Sequence, residues 1–248
     1  MKGLRSLYTI KTKTSGRDSQ GHISVRHRGG EQRRFLREID WQRAKVDVKA
    51  QVVSIEYDPN RTADIALLSY TDGSKSYILA SANLKVGDTI ICSNNAPIKD
   101  GNRLPLKNIP VGIPVHNIEF QPGSPAQLVK SAGSAAYVQS IDGDKAVIKL
   151  PSGEIRLFDS NCKATVGQVG NVNHSNTKLK KAGDSRHRGI RPGVRGVAQN
   201  PRSHAHGGGE GRSSIGMNPK TPWGRPAMGK RTRKLKKSSN RLIIKRKK

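Results

Sequence analysis

Aromatic side chains are scarce in this sequence: Phe, Trp and Tyr make up 4% of its 248 residues. Serial stacking of bases on aromatic platforms is therefore not its main way of holding a ligand. Cysteine is rarer still. Cys92 and Cys162 stand far apart, each in an apolar run, and fit no metal-ligand spacing. They are expected to be buried free thiols, which suits a reducing compartment. No apolar run approaches the roughly 18 residues that would span a membrane, so no membrane partner is expected. Residues 1–13 lack the apolar core of a secretory signal. Their basic and hydroxyl side chains suit a short organelle-targeting segment or, more simply, an RNA-binding tail. Acids are the last shortage: 18 Asp and Glu face 46 Lys and Arg, a net charge of +28. A charge that large opposes compaction and attracts polyanions.

The charge is not evenly spread. Residues 1–34 hold nine basic and two acidic side chains, and residues 183–248 hold nineteen and two. Residues 35–118 are almost balanced, with ten and nine, and residues 119–182 hold eight and five. This predicts a basic N-terminal arm, two folded segments and a long basic C-terminal extension. Hydrophobic residues make up only 33% of the chain, so the core should be modest.

The central segments carry strand periodicity. Val46, Val48, Ala50 and Val52 alternate with polar residues and lead to Ile55 and Tyr57. Asp58-Pro59-Asn60 reads as a turn and Asp72-Gly73 as a tight hairpin between strands at 65–70 and 76–80. Further strands fit 89–92 and, after a proline-rich connection, 115–120. A second series follows at 136–141, 146–150, 155–158 and 162–166, with turns at Asp142-Gly143 and Pro151-Ser152-Gly153. Short strands at such spacing predict two small antiparallel barrels, over 35–118 and 119–182. Tyr57, Tyr70 and Tyr77 should lie in the core or at the rim, and His116 should be a structural histidine. Helix signal is weak; 177–182 predicts a turn or two. Leu242-Ile243-Ile244 interrupts the basic tail as a short anchoring strand would.

Chemistry concentrates in the basic segments. Arg26, Arg28, Arg33 and Arg34 punctuate the first arm, and Arg186, Arg188, Arg191 and Arg195 recur every two to four residues among Gly and Pro. An extended backbone could present these planar guanidinium groups to successive phosphates. Lys230, Arg231 and Arg233 continue the pattern, and Arg61 can reach RNA from the Asp58 turn. Without a core, residues 183–248 should order only on a partner. The run from Gly196 to Arg212 holds Asn200, His204, His206, the triplet Gly207, Gly208, Gly209, and Arg212. Three glycines let a backbone approach a partner very closely. A metal-hydrolase alternative would use His204, His206 and Glu210, with His187, as zinc ligands, but His-x-His alone is a weak signal. A free RNA chaperone or regulator is a second alternative. Trp223 suits packing on RNA or capping a barrel equally.

Taken in order, these segments resemble the universal second large-subunit ribosomal protein family. The residues that carry the likeness are Glu56 to Arg61, Tyr77 to Ala80, Asn108 to Gly112, Val115 to Asn117, Ser131 to Gly133, Gly196 to Arg212 and Thr221 to Gly224. Each is weak alone; together they span nearly the whole chain from about residue 16. The resemblance implies an oligonucleotide-binding-type barrel, then a Src-homology-3-like barrel, with a C-terminal extension reaching toward the peptidyl transferase centre. It implies a structural role on large-subunit ribosomal RNA and in subunit association, with peptide bond formation left to the RNA. Neighbouring ribosomal proteins and the small subunit would be partners. The site would be a ribosome of the bacterial cytoplasm, a mitochondrion or a plastid. No cofactor or protein-bound metal is expected; magnesium ions would come with the RNA. The family's signature histidine is carried by His204, read here as a hydrogen-bonding or phosphate-contacting group in preference to a general base.

Two departures from the bacterial pattern stand out. Ser203-His204-Ala205-His206 replaces the usual Asp-His-Pro-His, which removes a carboxylate that could orient His204 and loosens the backbone. The N-terminal arm also looks shorter than the usual bacterial form, as in an organellar copy or a reduced lineage.

Overall fold

A computed structural model describes residues 4–246. The described chain divides into two compact units: residues 4–11, 33–178 and 241–246 form the first, and residues 12–32 and 179–240 the second. No helix among the described residues is long and apolar enough to cross a membrane.

The first unit is mainly β. Its strands are β1 (Tyr8–Ile10), β2 (Phe35–Arg37), β3 (Lys49–Glu56), β4 (Ile65–Tyr70), β5 (Lys75–Leu79), β6 (Thr89–Ile91), β7 (Arg103–Pro105), β8 (Pro114–His116), β9 (Ala136–Asp142), β10 (Lys145–Lys149), β11 (Ile155–Asp159), β12 (Lys163–Val166) and β13 (Ile243–Lys245). They form a four-stranded sheet of order β5-β4-β3-β6, a seven-stranded sheet of order β13-β11-β10-β9-β8-β12-β7, and the pair β1-β2. All named strand pairs are antiparallel, in line with a fold built from small β-barrels. The turns expected at Asp72-Gly73 and Asp142-Gly143 join β4 to β5 and β9 to β10. At the first, the Asp72 carboxylate accepts the Ser74 N–H at 3.0 Å and fixes the bend.

Strand β4 is buried on both faces, so it needs two covers. Ala66, Leu68 and Tyr70 pack with Ala50, Val52, Ile78 and Ile90. Ile65, Leu67 and Tyr77 on the other face pack against Leu4, Leu7, Tyr8 and Ile39. The expected N-terminal arm is therefore only partly an arm. Its first residues pair through β1 with β2 and seal the first sheet, because that apolar face would otherwise meet water. Tyr77 is fully buried: its hydroxyl donates to Glu56 Oε2 at 3.0 Å and lies 3.2 Å from the Tyr8 hydroxyl. Burial first, then these two partners, push its pKa above the ordinary range. Tyr57, by contrast, is 71% exposed just past the end of β3 and lies outside the core. The alternation of β3 runs unbroken from Ala50 to Glu56 with even positions inward, so Ile55 and Tyr57 fall on the outward face.

The division at 118/119 read from the sequence is not where the sheets divide. Strands β7 and β8 both pair with β12 of the second sheet. Leu104, Leu106, Ile109, Val115 and Ile118 pack into the core with Ala136, Val138, Ile148, Phe158 and Val166. Periodicity shows that 115–120 contains a strand but not which sheet it joins. Cys92 and Cys162 are free and buried, and burial raises the Cys162 thiol to about 11. His116 is buried, donates from Nδ1 to the Gly167 carbonyl at 2.8 Å, and is pushed down to about 4 by burial. The short apolar run in the tail forms β13, which pairs with β11 in the first unit.

The second unit is built differently. The buried hydrophobic side chains among the described residues all fall in the first unit. In the second, 20 Lys and Arg stand against 4 Asp and Glu. It contains one short α-helix, α1 (Ala182–His187), about a turn later in the chain than the sequence suggests. Asp184 sets its start by accepting the Lys181 N–H at 3.2 Å.

Candidate nucleic-acid interface

In the second unit, backbone hydrogen bonds join the two stretches of chain that compose it. Gly29 N–H donates to the Gly189 carbonyl at 2.9 Å, Gln32 N–H to His187 at 3.0 Å, and Arg191 N–H to His27 at 3.1 Å. This pairing brings together side chains from the two basic segments. Arg26, Arg28 and Arg191 line a cleft of 570 Å³ with Arg17 and His27, and no carboxylate lines it. The sequence reading does not single out Arg17 or His27. The only available signal is that both lie in the polar, glycine-flanked run that bends back on itself at Asp18 to Gly21.

The signature loop has an internal architecture that its composition does not reveal. The Asn200 carbonyl accepts the N–H groups of Ser203 at 2.8 Å and His204 at 3.2 Å, and its Oδ1 accepts Arg202 N–H at 3.0 Å. Asn200 thus organises the turn, in addition to any ligand contact. His204 is buried, and its Nδ1 accepts the His206 N–H at 3.0 Å. In the neutral ring the proton then sits on Nε2, which leaves that nitrogen as a hydrogen-bond donor. His206 Nε2 accepts the Lys220 N–H at 2.9 Å, and the two rings sit 4.8 Å apart.

The glycine triplet serves this loop before it serves any partner. A Cβ on Gly207 would lie 2.5 Å from the Gln199 carbonyl oxygen and 2.6 Å from the Asn200 carbonyl. Gly208 and Gly209 have φ near +93° and +94°, where a side chain would be strained. Arg195 and Arg212 flank the loop and line a second cleft of 550 Å³ with Val197, Ala198, Gly211 and Ser213. Both clefts are therefore basic at their edges.

The remaining candidates sit apart from this loop. Arg186 and Arg188 are exposed at and just after α1, and Lys230 and Arg231 are exposed. Arg233 is tied down, donating to Asn240 Oδ1 at 2.6 Å and Ser239 Oγ at 2.8 Å. Trp223 is 73% exposed on a turn closed by Gly224 N–H to the Thr221 carbonyl, so it caps nothing in its own unit.

In the first unit, Arg33 is exposed and Arg34 donates to the Pro59 carbonyl at 3.0 Å. Asp58 is fully buried and receives Arg61 Nε at 2.5 Å, with Arg37 3.7 Å away. Arg61 also lies over Trp41, 5.3 Å from the ring centre, as does Lys130 at 4.2 Å. Burial, then the neighbouring Arg61, lower the Lys130 pKa. A buried aspartate and one indole thus hold Arg37, Arg61 and Lys130 on one unit, a basic patch of which the sequence reading named only Arg61.

This arrangement is chemically suited to gripping phosphates. Among the described residues, no three His, Cys, Asp or Glu side chains converge as metal ligands would.

Comparison with known families agrees with a nucleic-acid role. A family model described as Ribosomal Proteins L2, RNA binding N-terminal domain, matches residues 4–92. A second, described as Ribosomal Proteins L2, C-terminal domain, matches residues 99–224.

Proposed function

The chain belongs to the ribosomal protein L2 family, and on that premise we propose that its coreless basic unit is the part that RNA completes. As a family member the protein is a structural, RNA-binding constituent of the large ribosomal subunit, and it acts in the ribosome, not as an enzyme. The observation that carries the finer reading is that 20 cations face 4 anions in a unit whose apolar side chains are not buried. Such a unit gains little from its own packing and much from neutralisation by a polyanion.

In this reading the first unit docks on ribosomal RNA through Arg34, Arg37, Arg61 and Lys130. The second neutralises phosphates where RNA helices crowd together, through Arg26, Arg28, Arg186, Arg188, Arg191, Arg195 and Arg212. Contacts of this kind position the RNA without reading its sequence. The Nε2–H of His204 donates to an RNA oxygen, and Trp223 stacks on an exposed base. Peptide bond formation stays with the RNA, and the protein supports the peptidyl transferase architecture and subunit association. Neighbouring ribosomal proteins and the small subunit are the remaining partners, in a bacterial or organellar ribosome. Magnesium ions are carried by the RNA.

Two measurements test this. In sucrose gradients of native lysate, the chain should stay with the large subunit at moderate and high salt; migration as free protein at both would overturn the reading. With purified chain and large-subunit RNA, affinity should fall steeply with salt. About six phosphate contacts give a log–log slope near −5, and a slope near zero would exclude phosphate neutralisation as the basis of binding.

A further inference from the structure

We propose that the cleft formed by residues 15–30 and Arg191 receives a single unpaired nucleotide of the RNA, with its base lifted out of the helical stack. The inference rests on the RNA-binding reading above and specifies which part of the RNA this site takes.

The cleft is a built feature. The Asp18 carboxylate accepts the N–H groups of Gln20 at 3.0 Å and His22 at 2.8 Å, and Arg17 donates to the Gly21 carbonyl at 2.8 Å. These bonds fold the chain so that Arg17 and Ile23 bridge one another. The Gly16 carbonyl then accepts both Ser24 and Val25 N–H at 3.0 Å. A side chain at Gly16 would collide with the Val25 carbonyl, so only glycine allows this closure.

The lining chemistry separates two kinds of RNA ligand. Arg17, Arg26, Arg28 and Arg191 supply the positive charge, and His27 adds a planar ring. A phosphate backbone alone would need no more. Yet Ile23 and Val25 also line the cleft, 62% and 53% exposed. A paired helix presents phosphates and sugars to a protein and would leave these two side chains in water. An extruded nucleotide presents a phosphate on each side and an apolar base face between them, which matches a cationic rim around an apolar wall. Guanidinium planes and imidazole rings are suitable stacking partners for such a base. The volume of 570 Å³ lies in the range of small-molecule pockets.

The test uses the full chain and two RNA hairpins with the same stem. One carries a single bulged 2-aminopurine; the other has that base paired. The chain should bind the bulged hairpin about tenfold more tightly and change the fluorescence of the bulged base on binding. Replacing both wall residues, Ile23→Ser with Val25→Ser, preserves charge; it should erase this preference while leaving affinity for the paired hairpin within about twofold. Equal binding of the two hairpins by the unaltered chain would overturn the inference, as would an unchanged preference in the double variant. Binding to neither hairpin would instead overturn the RNA-binding reading beneath it.

Discussion

Glu119 should be among the most sensitive positions in the first unit. Its Oε1 lies 2.8 Å from Arg103 Nη2, and the two side chains are 1% and 0% exposed. Its Oε2 accepts the N–H groups of Gly123 at 3.1 Å and Lys163 at 3.0 Å. Arg103 also donates from Nη1 to the Asn117 carbonyl at 3.2 Å. One carboxylate therefore ties β7, the chain after β8 and the start of β12 together. Glu119→Ala leaves a buried guanidinium without its counter-charge and two N–H groups without their acceptor. The expected loss is about 3–5 kcal/mol, against a total of about 5–15 kcal/mol for a domain. Urea unfolding of a Trp223→Phe background would report on Trp41 alone, and the midpoint should fall by roughly 2 M. Replacing both partners, Arg103→Met with Glu119→Leu, should recover much of the loss, because it removes the charge as well as its counter-charge. A loss below about 1 kcal/mol for Glu119→Ala, as for an exposed pair, would refute the reasoning. So would a double variant less stable than the single one.

Three further outcomes are expected. His116 is held near pKa 4 in the folded chain, against about 6.5 unfolded; between these values only the unfolded chain binds the proton, so stability present above pH 6.5 should fall by up to about 3 kcal/mol toward pH 4. The urea midpoint followed against pH should show this slope, and His116→Gln should flatten it. Ending the chain at Asn240 removes β13, and amide exchange in β11 should accelerate; unchanged protection there would show that the pairing of Ile155 with Lys245 and Arg156 with Ile243 is not formed in solution. Gly207→Ala forces a Cβ against the Gln199 and Asn200 backbone, so RNA affinity should drop while the unfolding midpoint of the first unit stays in place. A shift of that midpoint would contradict the assignment of the loop to the second unit.

The parts of this protein that depend on neighbours in the chain are legible from its sequence. Hairpins at Asp72-Gly73 and Asp142-Gly143 follow from local backbone preferences, and the alternation in β3 and β10 follows from the two-residue repeat of a strand. The concentration of cations at the ends needs no structure at all, and it already points to a polyanion. The ordered series of motifs from Glu56 to Gly224 indicates the family, because order over a long chain is specific where each short motif is not.

Tertiary structure decided whatever depends on residues distant in sequence. Strands β7 and β8 joined the second sheet because β12 needed partners on both edges. Residues 8–10 left the expected arm because β4 had a second apolar face to cover. His204 looks like a free ligand in a flexible glycine run, yet it is buried with its Nδ1 already occupied, since the loop closes through its own backbone. Arg17 and Arg191 share a cleft only because hydrogen bonds such as Gly29 to Gly189 bring two separate basic segments together. Local preference and charge act over a few residues and are written in the sequence. Which distant surfaces meet depends on what each leaves uncovered, and that is settled only when the chain folds.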